Sequence, residues 1–297
     1  MKDNIPFFSI ILPTYNRAKE LKKSIESVLS QTYENYELII IDNYSIDDTN
    51  NVLKNIIDSR IRIIKIHNEG IIAKSRNLGI SISKGVYIAF LDSDDLWYNN
   101  KLEICYCTIN KNNSDFLYHE MIINTNYFKL IKKNIGSIKY NKPVYLDLLN
   151  KGNMIANSSV VVKKNILNLV GGFNENIELI TSEDFECWLN IANLTDKFFF
   201  INEILGVYLD NDNSESKKVD KKISSNNFIF KNHLLPSIAN KSINKIPKWY
   251  YYNLTRAYYI NGNNIEAFKF AKLSMDNAGF CIKIKLFYML LFLKIKN

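Results

Sequence analysis

The chain has 297 residues, 47% of them hydrophobic, and its 38 Lys and Arg against 30 Asp and Glu give a net charge of +8. That length and apolar content exclude a disordered or fibrous chain and leave room for one large domain plus an appendage. The positive balance suits nucleotide phosphates or an anionic membrane surface. Nucleic acid ranks third behind these and is not an expected partner, because no long basic helix interleaved with aromatics and no nucleic-acid motif is present.

The four cysteines, Cys105, Cys107, Cys187 and Cys281, have no metal-site spacing and read as reduced thiols. Lys2 and Asp3 run straight into a strand pattern with no signal-peptide apolar region, so the cytoplasm is the expected compartment.

Taken in order, Phe7 to Leu12 is an apolar strand stopped by Pro13-Thr14-Tyr15-Asn16-Arg17, a turn-rich loop ending in a cation. Leu21, Ile25, Val28 and Leu29 then fall at helical spacing. Glu37 to Ile41 is a second buried strand ending at Asp42, and Ser45-Ile46-Asp47-Asp48-Thr49 reads as a capping box opening a helix. Ile61 to Ile66 is a third strand. His67-Asn68-Glu69-Gly70 leads into a helix carrying Arg76, and Gly85 precedes a fourth strand, Val86 to Leu91.

That fourth strand is uncharged and ends abruptly in Asp92-Ser93-Asp94-Asp95. Short alternating strands and helices predict a parallel sheet with right-handed crossovers and ligands at the carboxyl ends of the strands. Pro13 to Arg17, Asp42, Arg76 and Asp92 to Asp95 then share one edge. Asp92 and Asp94, two apart, can leave the same face, where a divalent cation carrying phosphate oxygens would relieve their repulsion. Asp42 and Asp92 could accept hydrogen bonds from a base and a ribose while Arg76 faces phosphate. Each residue alone has a plainer role as a turn former or surface helix residue.

Four stretches carry a resemblance: Ser9 to Arg17, Ile41 to Thr49, Ala73 to Gly79 and Phe90 to Trp97. It resumes at Asn157-Ser158-Ser159, Gly171-Gly172-Phe173-Asn174-Glu175 and Ser182-Glu183-Asp184-Phe185-Glu186-Cys187-Trp188. In that order they resemble family 2 glycosyltransferases of the GT-A fold over roughly the first 210 residues. The resemblance implies a Rossmann-like, mostly parallel α/β sheet with flanking helices. It implies an inverting, Mg²⁺- or Mn²⁺-dependent enzyme that moves a hexosyl or N-acetylhexosaminyl group from a nucleotide sugar, most simply a UDP-sugar. The acceptor would be a glycan or lipid-linked carrier in bacterial surface-polysaccharide or lipooligosaccharide synthesis.

Carried over by position, Asp42 contacts the base, with Pro13, Thr14, Tyr15 and Arg17 lining the same pocket. Arg76 lies near the pyrophosphate, Asp92 binds the ribose, Asn68 and Ser93 complete the nucleotide-sugar set, and Asp94 ligates the metal. The general base falls on Asp184 with Glu183 beside it, although Thr181 to Asp184 also reads as a helix start. Phe173 and Trp188 are the acceptor-side aromatics, and a buried aromatic anchoring its loop would look the same. His119 and Glu120 read as a cross-strand surface pair or as acceptor contacts.

Many relatives carry Tyr-Arg-x-His where this chain has Tyr208-Leu209-Asp210-Asn211, so the metal role of that His passes to Asn211 or Asp212 or is lost. This departure keeps open an alternative, a nucleotide-sugar-binding or scaffolding protein without turnover. A nucleotidyltransferase lacks its Gly-rich loop here.

Residues 211–222 read as a polar linker between a catalytic domain (1–210) and a helical C-terminal region (223–297). In that region Trp249 to Tyr259 and Ile265 to Ala271 form a helical hairpin around Gly262. The tail, 280–297, carries a short apolar core bracketed by Lys283, Lys285, Lys294 and Lys296. It reads either as an interfacial helix on the inner face of the plasma membrane or as a lid on the protein's own core.

Overall fold

A computed structural model describes residues 5–124, 133–209, 219–275, 283, 284, 286 and 289. The chain divides into two compact units. The first comprises Met1–Asn141, Met154–Glu175 and Asn190–Asn211, and the second Lys142–Asn153, Asn176–Leu189 and Asp212–Asn297.

The first unit is built on a mixed sheet. Its parallel half consists of β1 (Phe8–Thr14), β2 (Tyr36–Asp42), β3 (Ile61–Lys65) and β4 (Tyr87–Phe90), in spatial order β3-β2-β1-β4. Every residue of β1, β2 and β4 is buried, which is why these strands are continuous apolar runs and not alternating ones. The crossovers are α1 (Ala18–Leu29), α2 (Thr49–Lys54) and α3 (Ile72–Ile82). In α1, Leu21, Ile25 and Val28 face the sheet, as their spacing predicts. The core joins Ile10, Leu12, Leu38 and Ile40 of the sheet to these helix residues.

The other half begins with β5 (Leu96–Trp97), α4 (Lys101–Asn112) and β6 (Phe116–Asn124), followed by β7 (Lys133–Ile135). It continues through β8 (Val161–Lys163), α6 (Lys164–Val170) and β9 (Phe198–Leu209). β8 pairs antiparallel with β4 and with β6, while β6 runs parallel to β9, and β5 closes the far edge. Twin register shifts interrupt the β6–β9 ladder around Glu120.

The predicted surface pair is corrected here. His119 is fully buried, because β6 lies inside the sheet between β8 and β9, and burial pushes its imidazole pKa down to about 3. Glu120 meets Asn134 of β7 across the strands, accepting its Nδ2–H at 2.8 Å.

A second correction concerns the expected capping box. The Asp48 side chain makes no cap to α2, which starts at Thr49; Asp47 Oδ1 accepts the Thr49 N–H at 3.1 Å, and Ser45 turns back to Asp42 instead.

The second unit contains α5 (Val144–Lys151), the start of α7 (Glu183–Leu194), α8 (Val219–Ile229), α9 (Leu235–Ala239), α10 (Lys248–Ile260) and α11 (Asn264–Met275). The predicted hairpin is α10–α11, turned by Gly262 at φ +72° and closed by Tyr258 stacked on Phe270 at 5.5 Å. Residues 211–218 of the expected linker lie outside the described residues, and Val219 to Lys222 already form the first turn of α8. The tail beyond 275 also lies outside them, apart from Lys283, Ile284, Leu286 and Met289. Among the described residues no helix is long and apolar enough to cross a membrane.

Candidate functional site

The parallel strands end along one edge, with Thr14 opposite Asp42 in register. Asp42 is fully buried. Its Oδ1 accepts the Ser45 N–H at 3.1 Å and the Ser45 hydroxyl at 2.6 Å. Its Oδ2 has no hydrogen bond and lies 3.8 Å from Lys65 Nζ at the end of β3. The buried Thr14 hydroxyl also lacks a hydrogen-bond partner. Buried polar atoms left in this state mark a place where a ligand can supply donors and acceptors.

The loops around them are laced together. Asn16, at φ +50°, donates its N–H to Ser45 Oγ at 2.9 Å and accepts the Ile46 N–H at 2.8 Å. Tyr15 stands 52% exposed beside this lacing, and Tyr44 stacks on His67 at 3.9 Å.

The acidic turn follows β4. Arg76, buried on α3, donates from Nη2 to Asp92 Oδ1 at 2.9 Å, and the same oxygen accepts Asn157 Nδ2–H at 3.0 Å. Arg17 Nη1 meets Asp94 Oδ2 at 2.8 Å. Asp95 turns inward, accepting the Ser158 hydroxyl at 2.6 Å and the Leu209 N–H at 3.2 Å. Burial first, and then the charges of Asp92 and Asp94, hold its carboxyl well above the ordinary carboxylate range. Ser158 also receives the Asp92 N–H at 3.0 Å, and its carbonyl receives the Trp97 indole N–H at 2.7 Å. The turn therefore presents two partly exposed carboxylates outward, each on an arginine, with a third locked beneath them.

Ser93 is buried, and its carbonyl lies 3.0 Å from Ser24 Oγ. Pro13 lies in β1. Asn68 is buried and braces the loop before α3: its Nδ2 donates to Ser75 Oγ at 2.9 Å and its Oδ1 accepts the Gly70 N–H at 2.9 Å.

Neither acceptor-side aromatic offers an open face. Phe173 is 2% exposed, edge-on to Phe90 at 5.1 Å and beneath the Arg76 guanidinium at 5.2 Å. It anchors its loop, as the plainer alternative holds. Trp188 is fully buried, because it lies on the inward face of α7.

In the second unit Asp184, partly exposed at the start of α7, accepts Asn153 Nδ2–H at 3.1 Å on Oδ2 and the Phe185 N–H at 2.7 Å on Oδ1. Glu183 is buried and accepts the Thr181 N–H at 3.0 Å. Asn211 lies outside the described residues. Ser45, Lys65, Asn153, Asn157 and Ser158 contribute contacts that sequence reading assigned to none of them. Their side chains are ordinary polar groups until the fold sets each beside a carboxylate.

A parallel half-sheet that brings a buried aspartate, an Asp-x-Asp turn and two arginines to one carboxyl edge is the scaffold of a GT-A glycosyltransferase. The chain belongs to glycosyl transferase family 2, whose model matches residues 9–168.

One relative is the UDP-Glc:alpha-D-GlcNAc-diphosphoundecaprenol beta-1,3-glucosyltransferase WfaP of Escherichia coli. It is 32% identical over 82% of this chain and 91% of that protein. An uncharacterized glycosyltransferase of Rickettsia bellii is 31% identical over 80% of this chain, which spans 34% of that longer protein. Among solved structures, S. aureus TarS in complex with UDP-GlcNAc matches the fold with a TM-score of 0.61 at 15% identity, over 90% of this chain and 84% of that one.

Proposed function

We propose that the chain transfers one sugar, with inversion, from a UDP-sugar to a glycan or lipid-linked acceptor in bacterial surface-polysaccharide synthesis, acting in the cytoplasm or against its membrane face. The observation that carries this reading is the meeting of Asp42, Asp92, Asp94, Arg17 and Arg76 at one strand edge in a family 2 chain. The glucosyltransferase activity of the Escherichia coli relative supports the nucleotide and the acceptor class.

Asp42 Oδ2 and the Thr14 hydroxyl receive the base, because both are buried and lack hydrogen-bond partners. Asp92 accepts from the ribose, and Arg17 and Arg76 face the diphosphate. Among the described residues no group of three or more His, Cys, Asp or Glu could enclose a metal ion. The partly exposed Asp92 and Asp94 nevertheless fit Mg²⁺ or Mn²⁺. Such an ion takes one or two carboxylates and fills its remaining positions with substrate phosphates and water. Asp94 would hold it, with Asn211 as a second ligand. When bound, the ion neutralises charge growing on the departing diphosphate.

Asp184 takes the proton of the acceptor hydroxyl as that oxygen attacks the anomeric carbon, and the bond to the diphosphate breaks on the opposite face. Asn153 and the Phe185 N–H each donate to the Asp184 carboxylate and hold it in place.

The test is a panel of nucleotide sugars with a GlcNAc-diphosphoundecaprenol-type acceptor and Mn²⁺ or Mg²⁺, reading released nucleoside diphosphate. Turnover that survives Asp184→Asn overturns the base. UDP binding by calorimetry with no turnover on any acceptor favours the binding-protein alternative, which Leu209 and Asn211 keep in play.

A further inference from the structure

Asp184 and the C-terminal helices share one compact unit, and named contacts tie them together. Asn153, a donor to Asp184 Oδ2, directly follows Gly152, which ends α5 at φ +78°. Gly152 is pressed against Trp249 of α10, since a Cβ there would stand 2.9 Å from the indole ring. Trp249 donates its Nε1–H to Leu149 O at 2.7 Å, which fixes the indole against the end of α5. Phe185 meets the same indole edge-on at 5.6 Å. One tryptophan of the C-terminal region therefore fixes both the residue before Asn153 and the residue after Asp184.

Among the described residues, Glu183 beside Asp184 on α7 and Lys222 on α8 are charged groups near this carboxylate, with Arg256 of α10 acting in turn on Lys222. Burial lowers the Lys222 pKa, and Asp184 and Glu183 work against that lowering.

The geometry points to Asn153 as a positioning residue for the Asp184 carboxylate, held in register by Trp249 of the C-terminal helical region. This rests on the reading of Asp184 as general base. An amide N–H aimed at one carboxylate oxygen fixes the plane of the group and favours its charged form. The C-terminal helices thereby gain a part in the reaction as support for its base.

The test uses the full chain labelled with ¹³Cγ-aspartate and followed by NMR, with Asp184→Asn identifying the resonance of Asp184. In Asn153→Ala that resonance should titrate about one pH unit higher than in the wild type, a shift that loss of packing elsewhere would not produce. Trp249→Leu should move it in the same direction, and adding Trp249→Leu to Asn153→Ala should move it no further. For UDP release from UDP-glucose and UDP-N-acetylglucosamine, Asn153→Ala should lower kcat roughly tenfold with KM unchanged.

An unmoved Asp184 resonance in a folded Asn153→Ala protein overturns the proposal, and it does so whether or not turnover is detected. If Asp184→Asn keeps full turnover, the base reading falls instead, a result distinguishable from the first.

Discussion

Ser45 decides how Asp42 is presented. Its backbone and hydroxyl occupy one carboxylate oxygen and leave the other for a ligand. Ser45→Ala removes a short hydrogen bond from a fully buried carboxylate and should cost about 1–3 kcal/mol of stability, seen as a lower urea midpoint. It should also weaken UDP binding by calorimetry. Unchanged affinity would mean that Asp42 does not touch the base.

Arg76 carries more, since its guanidinium pairs with Asp92 and covers Phe173. Arg76→Ala leaves Asp92 without its buried counter-ion and should destabilise by about 2–4 kcal/mol. Arg76→Lys should recover part of the stability but little of the nucleotide affinity, because an ammonium cannot reproduce the planar fork.

At the scale of elements, α3 is a clamp with two jaws. Arg76 reaches the acidic turn, and its neighbour Asn77 holds the loop after α6: Nδ2 lies 2.8 Å from both Phe173 O and Glu175 Oε1, and Oδ1 accepts the Phe173 N–H at 2.8 Å. Gly172 makes the close approach possible. Its φ is +76°, and an added Cβ would stand 2.5 Å from Asn77 Oδ1. Gly172→Ala should therefore lower the melting temperature, corresponding to about 1–3 kcal/mol, and loosen the Phe173 loop. Gly171→Ala is the control, because a Cβ there meets nothing within 4 Å and only the backbone strain at φ +81° remains. Equal losses at both glycines would rule out the clamp.

At the scale of the whole molecule, stability should respond to pH through Lys101. This side chain is fully buried, its Nζ has no hydrogen bond, and it sits 3.4 Å over the Trp97 ring. Burial lowers its pKa from 10.5 to about 8. The unfolded chain therefore holds the proton up to about 10.5, while the folded one releases it above about 8. The cost of burying the ammonium is fully present below pH 8 and is relieved as the pH rises toward 10.5. Lys101→Met should stabilise the protein at pH 7 by about 2 kcal/mol, and the gap should narrow by pH 9.5. Melting curves at the two pH values decide it; a constant gap would mean that the ammonium is not the cause.

By itself the sequence determined the βαβ half-sheet, α1, the α10–α11 hairpin and the gathering of Asp42, Arg76 and Asp92 to Asp95 at one edge. Each of these follows from local periodicity and from the rule that parallel strands end on the same side. Tertiary structure alone decided which carboxylates face outward and which neighbours hold them. Asp95 differs from Asp94 by one position on the chain, yet Ser158 and Leu209 lock it inside while Arg17 meets Asp94 at the surface. His119 and Phe173 went the same way, toward burial. Their surroundings come from strands and helices far away in the chain, and desolvation is a property of those surroundings that no local pattern records.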